Sequence, residues 1–407
     1  MRAMDRPPVF RRPIGQLLLL GLALPVAAYS HLAAPGGREA PIASLYLVSF
    51  LFFTAASGGA IILGILADAP RIDRFKPVAR IAEAVGLASL SLAVGFMVLD
   101  LTRPARLESL AHDVRLTASL VWDIAAIGTY LGDAVALGYL ASHPELLRLV
   151  RMMPAGQRAA SLRALAGGVL DAARAPGEGR VLRQLALSAI PAALLLHSVP
   201  AWLLGHLEVR FPSAPALTAP LLIASSLLHS VVLALALVIM VAILSRVVFK
   251  APIGDDVIAT LQAILLVSLA PLGYCLFTEM QAAVYERGTV HVWREMLVGP
   301  HAPLFWFVLI AGVGAPFLLL SRTPAKRTAG GAAALLVVLA TLVERWSIII
   351  PPLLGHAHLP YTDGGYAPAG PELALTSAAY AAGLVLGLLL ARQPLPLSLL
   401  TSPADGE

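Results

Sequence analysis

Apolar positions in this chain gather into long unbroken runs rather than into the half-apolar stripe of a surface helix. Ten such runs lie at roughly 14–33, 44–67, 79–101, 117–140, 184–206, 217–245, 257–281, 302–321, 329–351 and 372–391. About 20 mostly apolar residues suffice for a helix to cross the hydrocarbon core of a bilayer. Several runs close on Pro, Gly or charge clusters, where a chain leaving the bilayer regains water for its backbone groups. Arg11 and Arg12 ahead of Leu17–Leu24 resemble a secretory signal. The segment stays apolar through Leu32 and nine further runs follow, so it is read as a retained helix. The pattern predicts an all-α integral membrane protein of about ten transmembrane helices.

Composition agrees. Of 407 residues 58% are hydrophobic and 13% charged, and mean hydropathy is +0.81, whereas a soluble domain carries about 25% charged residues. A water-soluble globule, a disordered chain and a nucleic-acid binder are thereby excluded. The net charge of +5 then speaks of loop orientation. One set of flanks carries 21 Lys and Arg, seven of them between Arg148 and Arg183, and the opposite set carries seven. By the positive-inside rule both termini are expected in the cytoplasm, in a bacterial inner membrane. Residues 141–183 form either a surface-lying amphipathic helix or a plain basic linker between an N-terminal four-helix part, 1–140, and a C-terminal six-helix part, 184–407. Longer loops at 102–116, 207–216, 282–301 and 352–371 fall on the outer side, where a partner protein could dock.

Charges inside spans cost about 2.5–3.5 kcal/mol at the helix centre on insertion scales, so each asks for a reason. They are Asp100, Asp123, Asp133, His197, His229, Glu279, Glu344 and Arg345, with His206, Glu208 and Arg210 at a span's exit. At about 1.5 Å per residue, Asp123 and His197 lie about 9 Å below the outer surface. Glu279 and the Glu344–Arg345 pair fall in the outer half, His229 lies near the middle, and Asp133 alone lies in the cytoplasmic half. Transporters usually hold their coupling residues at the midplane. An outer-half cluster of a His and carboxylates suits instead a lipid-soluble carrier that exchanges protons and electrons near one surface, which is quinone chemistry.

Redox cofactors held by the chain itself find no ligand set. His197 and His229 differ in depth by roughly 9 Å, so they are no matched pair for a b-type haem. The sequence has no Cys-x-x-Cys-His, and its single cysteine, Cys275, excludes disulfides, iron–sulfur clusters and Cys-rich zinc sites. No haem, iron–sulfur cluster or metal of its own is expected; electrons have to pass through a partner.

The stretch Leu99-Asp100-Leu101-Thr102-Arg103-Pro104 resembles the "LDLGRP" that ends a span in the NrfD/polysulfide-reductase membrane-subunit family. Ser57-Gly58-Gly59-Ala60, His197-Ser198 with Trp202 and Arg210, Glu344-Arg345-Trp346 before Pro351-Pro352, and Tyr366-Ala367-Pro368 with Glu372 follow the family's order. The resemblance covers roughly residues 40–391. Thr102, Glu344 and Ser347 depart from the family's usual residues. The resemblance implies two four-helix bundles plus extra helices, and a subunit exchanging electrons between quinone (menaquinone or ubiquinone) and a periplasmic, ferredoxin-like iron–sulfur subunit that serves a catalytic redox subunit. In that reading His197, Asp123, Asp100, Trp202 and Arg210 bind quinone and exchange its proton. Tyr130, Asp133, His229, Glu279 and Glu344 form a proton path, and Arg103, Glu208 and Arg345 form a rim or docking surface. A proton-translocating subunit driven by its partner is the second reading, and a small-molecule carrier the third.

Overall fold

A computed structural model describes residues 44–68, 76–100, 215–251, 253–285, 297–299, 302–323, 326–355 and 367–392, together with 125, 128, 129 and 132. Seven long helices account for nearly all of them: α1 Leu45–Asp68, α2 Lys76–Asp100, α3 Pro215–Phe249, α4 Asp255–Tyr285, α5 Ala302–Arg322, α6 Arg327–Gly355 and α7 Gly370–Arg392. All seven are long and apolar enough to span a bilayer, and the described residues include no strand. Each matches one apolar run to within a few residues. The runs at 14–33 and 184–206, and all of 117–140 except the four helical residues 125, 128, 129 and 132, lie outside the described residues, as does the 141–183 segment. The structure is thus an all-helical membrane protein with seven of the ten expected spans described.

Helix α3 is the axis of the bundle. Val232, Leu233, Ala234, Leu235, Ala236, Val238 and Ile239 are all buried, so this stretch is covered on every side, as a helix apolar all round must be. Ile258, Leu265 and Leu269 of α4, Val337 of α6 and Ile81 and Val85 of α2 close around it. α7 packs on α2, where Tyr380 joins Phe52, Phe53 and Phe96 in an aromatic cluster with ring centroids 4.7–6.1 Å apart.

Between membrane helices, close approach depends on small residues and on hydrogen bonds. The Ser57-Gly58-Gly59-Ala60 stretch supplies both. Ser57 Oγ donates to the Gly86 carbonyl of α2 at 2.8 Å. Gly59 faces α3 so closely that a Cβ there would stand 2.1 Å from the Ser230 carbonyl oxygen. One stretch of α1 therefore fixes its distance to two neighbours at once.

The two ends of the bundle differ in chemistry. At one end Ser44 precedes α1 in the N-cap position, its Oγ accepting from the Leu47 N–H at 3.0 Å and donating to Asp100 at the end of α2. Glu372, in the first turn of α7, accepts from the Leu45 N–H at 2.8 Å and from the Ala369 N–H at 3.4 Å. One carboxylate thus stabilises two helix N-termini, where the macrodipole favours negative charge. At the other end Asp255, the first residue of α4, takes the forks of Arg246 from α3 and Arg327 from α6, with shortest contacts of 2.6 and 2.7 Å. Helix α6 spans the distance between them: Arg327 binds Asp255, while Ile349 and Ile350 pack on Val48 near the start of α1.

Gly59→Ala is expected to weaken the fold although alanine is the better helix former, because the obstructing atom is backbone and cannot rotate away. Gly64→Ala, whose Cβ would meet nothing nearer than 3.6 Å, is the matched control. Thermal unfolding in detergent should show a lower transition for Gly59→Ala and an unchanged or higher one for Gly64→Ala.

Candidate functional site

Ionisable groups buried in the bundle form a series that rises from its middle toward the Asp100 end. The lowest is His229 of α3, 4% exposed. Its Nδ1–H donates to the Ser225 carbonyl one turn earlier at 2.9 Å. That bond fixes Nδ1 as the protonated nitrogen of the neutral ring and leaves Nε2 as an acceptor. His229 lines a cavity of about 10 Å³ with Val232, Leu272, Val308, Gly312, Val313, Val337, Ala340 and Thr341. Such a volume has room for about one water. Thr341 Oγ1 is already committed to the Val337 carbonyl at 2.9 Å.

One turn above Thr341 on α6 stand Glu344 and Arg345, both buried, with Arg345 Nε 3.4 Å from Glu344 Oε2. Successive helix residues point about 100° apart, and on that ground the sequence suggests separate faces. The side chains are long enough to turn back and meet. The pairing has a clear cause, since an isolated charge in a dry interior is far more costly than an opposed pair. Glu279 of α4, also buried, lies two turns, or about 10 Å along the helix, beyond Leu272 of the cavity wall. The charges of Glu344, Arg345 and Glu279 all bear on the His229 ring. Three helices thus contribute four ionisable side chains to one dry region.

The wall opposite His229 is unusual. α5 passes through a π-turn at Ile310–Gly314, a widened turn frequent at functional sites. Gly312 and Val313 of that turn line the cavity, and a Cβ on Gly312 would stand 2.9 Å from the Ala340 Cβ. Glycine therefore lets the widened turn lie against α6.

Of the residues expected at a site, the structure describes five. His229, Glu279, Glu344 and Arg345 come together as stated. Asp100 stands apart at the end of α2, accepting from Ser44. Arg345, expected at a docking rim, is 6% exposed and lies against Glu344 instead, because a carboxylate buried away from bulk solvent needs a counter-charge. His197, Asp123, Trp202, Arg210, Tyr130, Asp133, Arg103 and Glu208 lie outside the described residues. Thr341, Gly312 and Glu372 are not among the site residues that the sequence marks out. Only Glu372 carries a signal, since an acid just after a Pro-Gly break reads as a helix start. The cavity at His229 does not fit a quinone ring, since pockets for such ligands run to about 300–1,000 Å³. Among the described residues no three His, Cys, Asp or Glu side chains form a metal-binding group.

A family model described as "Polysulphide reductase, NrfD" matches residues 38–355. The chain is also similar to a putative membrane subunit of dimethyl sulfoxide reductase from Halobacterium salinarum. The two are 28% identical over 340 residues, which cover 81% of this chain and 73% of the relative. The matched region holds all four buried ionisable residues and both walls of the cavity.

Neutralising Arg345 as Arg345→Met should destabilise the bundle by about 3–5 kcal/mol, the usual cost of leaving one partner of a buried pair uncompensated. The double variant Glu344→Gln/Arg345→Met should recover much of that loss. Unfolding transitions of the single and double variants measure both effects.

Proposed function

The chain belongs to the NrfD polysulphide reductase family, and from that premise we propose that it is the membrane subunit of a dimethyl sulfoxide or polysulfide reductase-type complex, exchanging electrons and protons between the quinone pool and a periplasmic iron–sulfur partner. The family match over 38–355 carries this reading. Two features of the bundle support it. Its ionisable side chains rise toward the Asp100 end rather than sitting alone at mid-depth, and its opposite end carries the cations Arg246, Lys250, Arg322, Lys326 and Arg327. By the positive-inside rule that basic end faces the cytoplasm, so the polar series opens toward the periplasm and toward a partner there.

In this reading the two sets of residues have different tasks. His197, with Asp123 expected at matching depth on the preceding span and Asp100, Trp202 and Arg210 expected at the outer rim, takes the quinone. An imidazole titrates nearest neutrality, so His197 gives or takes a proton with little tuning. His229, Glu344 and Glu279 hold a proton-exchanging series in the buried interior, with Arg345 as the counter-charge of Glu344. The catalytic redox subunit receives or delivers electrons through the iron–sulfur partner docked over the outer loops, near Arg103 and Glu208.

A second reading, a proton translocator driven by the partner's redox chemistry, is favoured by the same buried series, because a quinone site alone does not require ionisable groups as deep as His229. It further requires Tyr130 and Asp133 to continue the path toward the cytoplasm. Asp133→Asn separates the two: quinone exchange survives it, and proton movement across the membrane does not.

Reporter fusions at Glu407 and near Gly364 are expected to place the C-terminus in the cytoplasm and the 352–371 loop outside. A periplasmic C-terminus would reverse the orientation of the polar series. Membranes carrying His197→Ala are expected to lose quinol-coupled electron transfer by at least 100-fold, the scale of a general acid–base contribution, while the complex still assembles. Unchanged turnover and unchanged quinone-site inhibitor binding in an assembled complex would remove His197 from that role.

A further inference from the structure

Lys250 has φ 54° and is the one non-glycine among the described residues with a positive φ. The left-handed conformation ends α3: Ala251 N–H turns back to the Ser245 carbonyl at 3.3 Å, and Pro252 in the sequence cannot continue the helix. Glycine is the residue that accepts this backbone without strain. A strained side chain at a surface turn points to something the side chain does. Two roles offer themselves: a cation for the negative end of the α3 macrodipole, or a cation for a ligand.

The surroundings favour the ligand. Arg246, one turn earlier, already places a positive charge in the last turn of α3. It donates through two nitrogens to Asp255, at 2.6 and 3.3 Å, and Arg327 donates through two more, at 2.7 and 2.9 Å. Asp255 is thus held between two forks, and each guanidinium keeps N–H donors beyond those it spends there. Lys250, Arg322 and Lys326 are exposed, and among the described residues none of their side chains has an ion-pair or hydrogen-bond partner. Lys250 lies one turn beyond Arg246 and Lys326 directly precedes Arg327, so the two lysines flank the two forks along the chain. Immediately beside these cations α3 turns apolar and exposed. Val247 and Val248 of α3 are 72% and 58% exposed. Apolar surface for acyl chains thus adjoins unpaired cations at headgroup level.

We propose that Lys250, with Arg246, Lys326 and Arg327, forms a binding site for an anionic phospholipid, its phosphate on the cations and its acyl chains along Val247 and Val248. Basic pockets between membrane helices recognise anionic headgroups by this combination. Lys250 is the residue committed to the ligand, while the Asp255 forks position the two arginines and hold the rim together.

The full chain in nanodiscs provides the test, in phosphatidylcholine alone and in phosphatidylcholine with 30% phosphatidylglycerol as the probe. The wild type is expected to melt several degrees higher with phosphatidylglycerol, and inorganic phosphate added to phosphatidylcholine discs should not reproduce the rise. Lys250→Gly relieves the backbone strain, so its transition in phosphatidylcholine should stay level or rise, while at least half of the phosphatidylglycerol effect disappears. Lys326→Gln, which leaves α3 and its turn untouched, should reduce the same effect. A helix-dipole role for Lys250 would instead lower the transition equally in both lipids, and that outcome overturns the proposal. So does a wild type that melts identically in the two lipids, or a rise fully reproduced by phosphate.

Discussion

A charge inside this bundle is buried away from bulk solvent, and the arrangement of the ionisable residues follows from that constraint. Glu344 cannot stand ionised in a dry interior without a counter-ion, and the residue next to it in sequence provides one. His229 answers the same problem differently, spending Nδ1–H on its own helix beside a space the size of one water. Ser57, Thr341 and Ser230 give their hydroxyl protons to helix carbonyls and add no unpaired donor to the interior. Much of the polar chemistry admitted to this core is completed by the protein itself.

Helix spacing sets how well this works. The approach of α1 to α3 at Gly59, and of α5 to α6 at Gly312, is closer than any side chain would permit. Tight contact excludes water from the region between, which strengthens each electrostatic interaction there. Small residues and ionisable ones are therefore parts of one arrangement: glycine brings the helices together, and the exclusion of water that follows gives Glu279, Glu344, Arg345 and His229 their mutual influence.

Much of this is legible in the sequence, for physical reasons. A bilayer demands long apolar runs, so all seven described helices can be read from them to within a few residues. The depth of Glu279, Glu344 and His229 follows from a fixed rise per residue. What escapes such reading is contact across long separations. That Glu372 stabilises the start of α1, 327 residues away, depends on how α7 lies against α1 and α2, and no local pattern encodes it. Arg345 is expected at a rim, and its helical phase differs from that of Glu344; a long, flexible side chain set against a buried carboxylate disregards helical phase. Residues 310–314 read as ordinary apolar helix, since a π-turn has no compositional mark of its own. The three runs outside the described helices hold His197, Asp123 and Trp202, and their assignment rests on depth, residue type and family resemblance.

The π-turn of α5 has a consequence for how that helix can be built. A regular helix advances about 100° per residue, and a π-turn absorbs one residue more than the α-helical repeat. The halves of α5 before and after Ile310–Gly314 thus keep separate rotational frames. Phe305 in the first half faces Met280 and Leu297, while Leu320 in the second half faces the main core. Were the extra residue absent, one of these faces would be turned by roughly a quarter of a revolution, carrying either Phe305 or Leu320 out toward lipid. The widened turn works as a phase adjuster, letting a single helix serve two differently oriented packing surfaces.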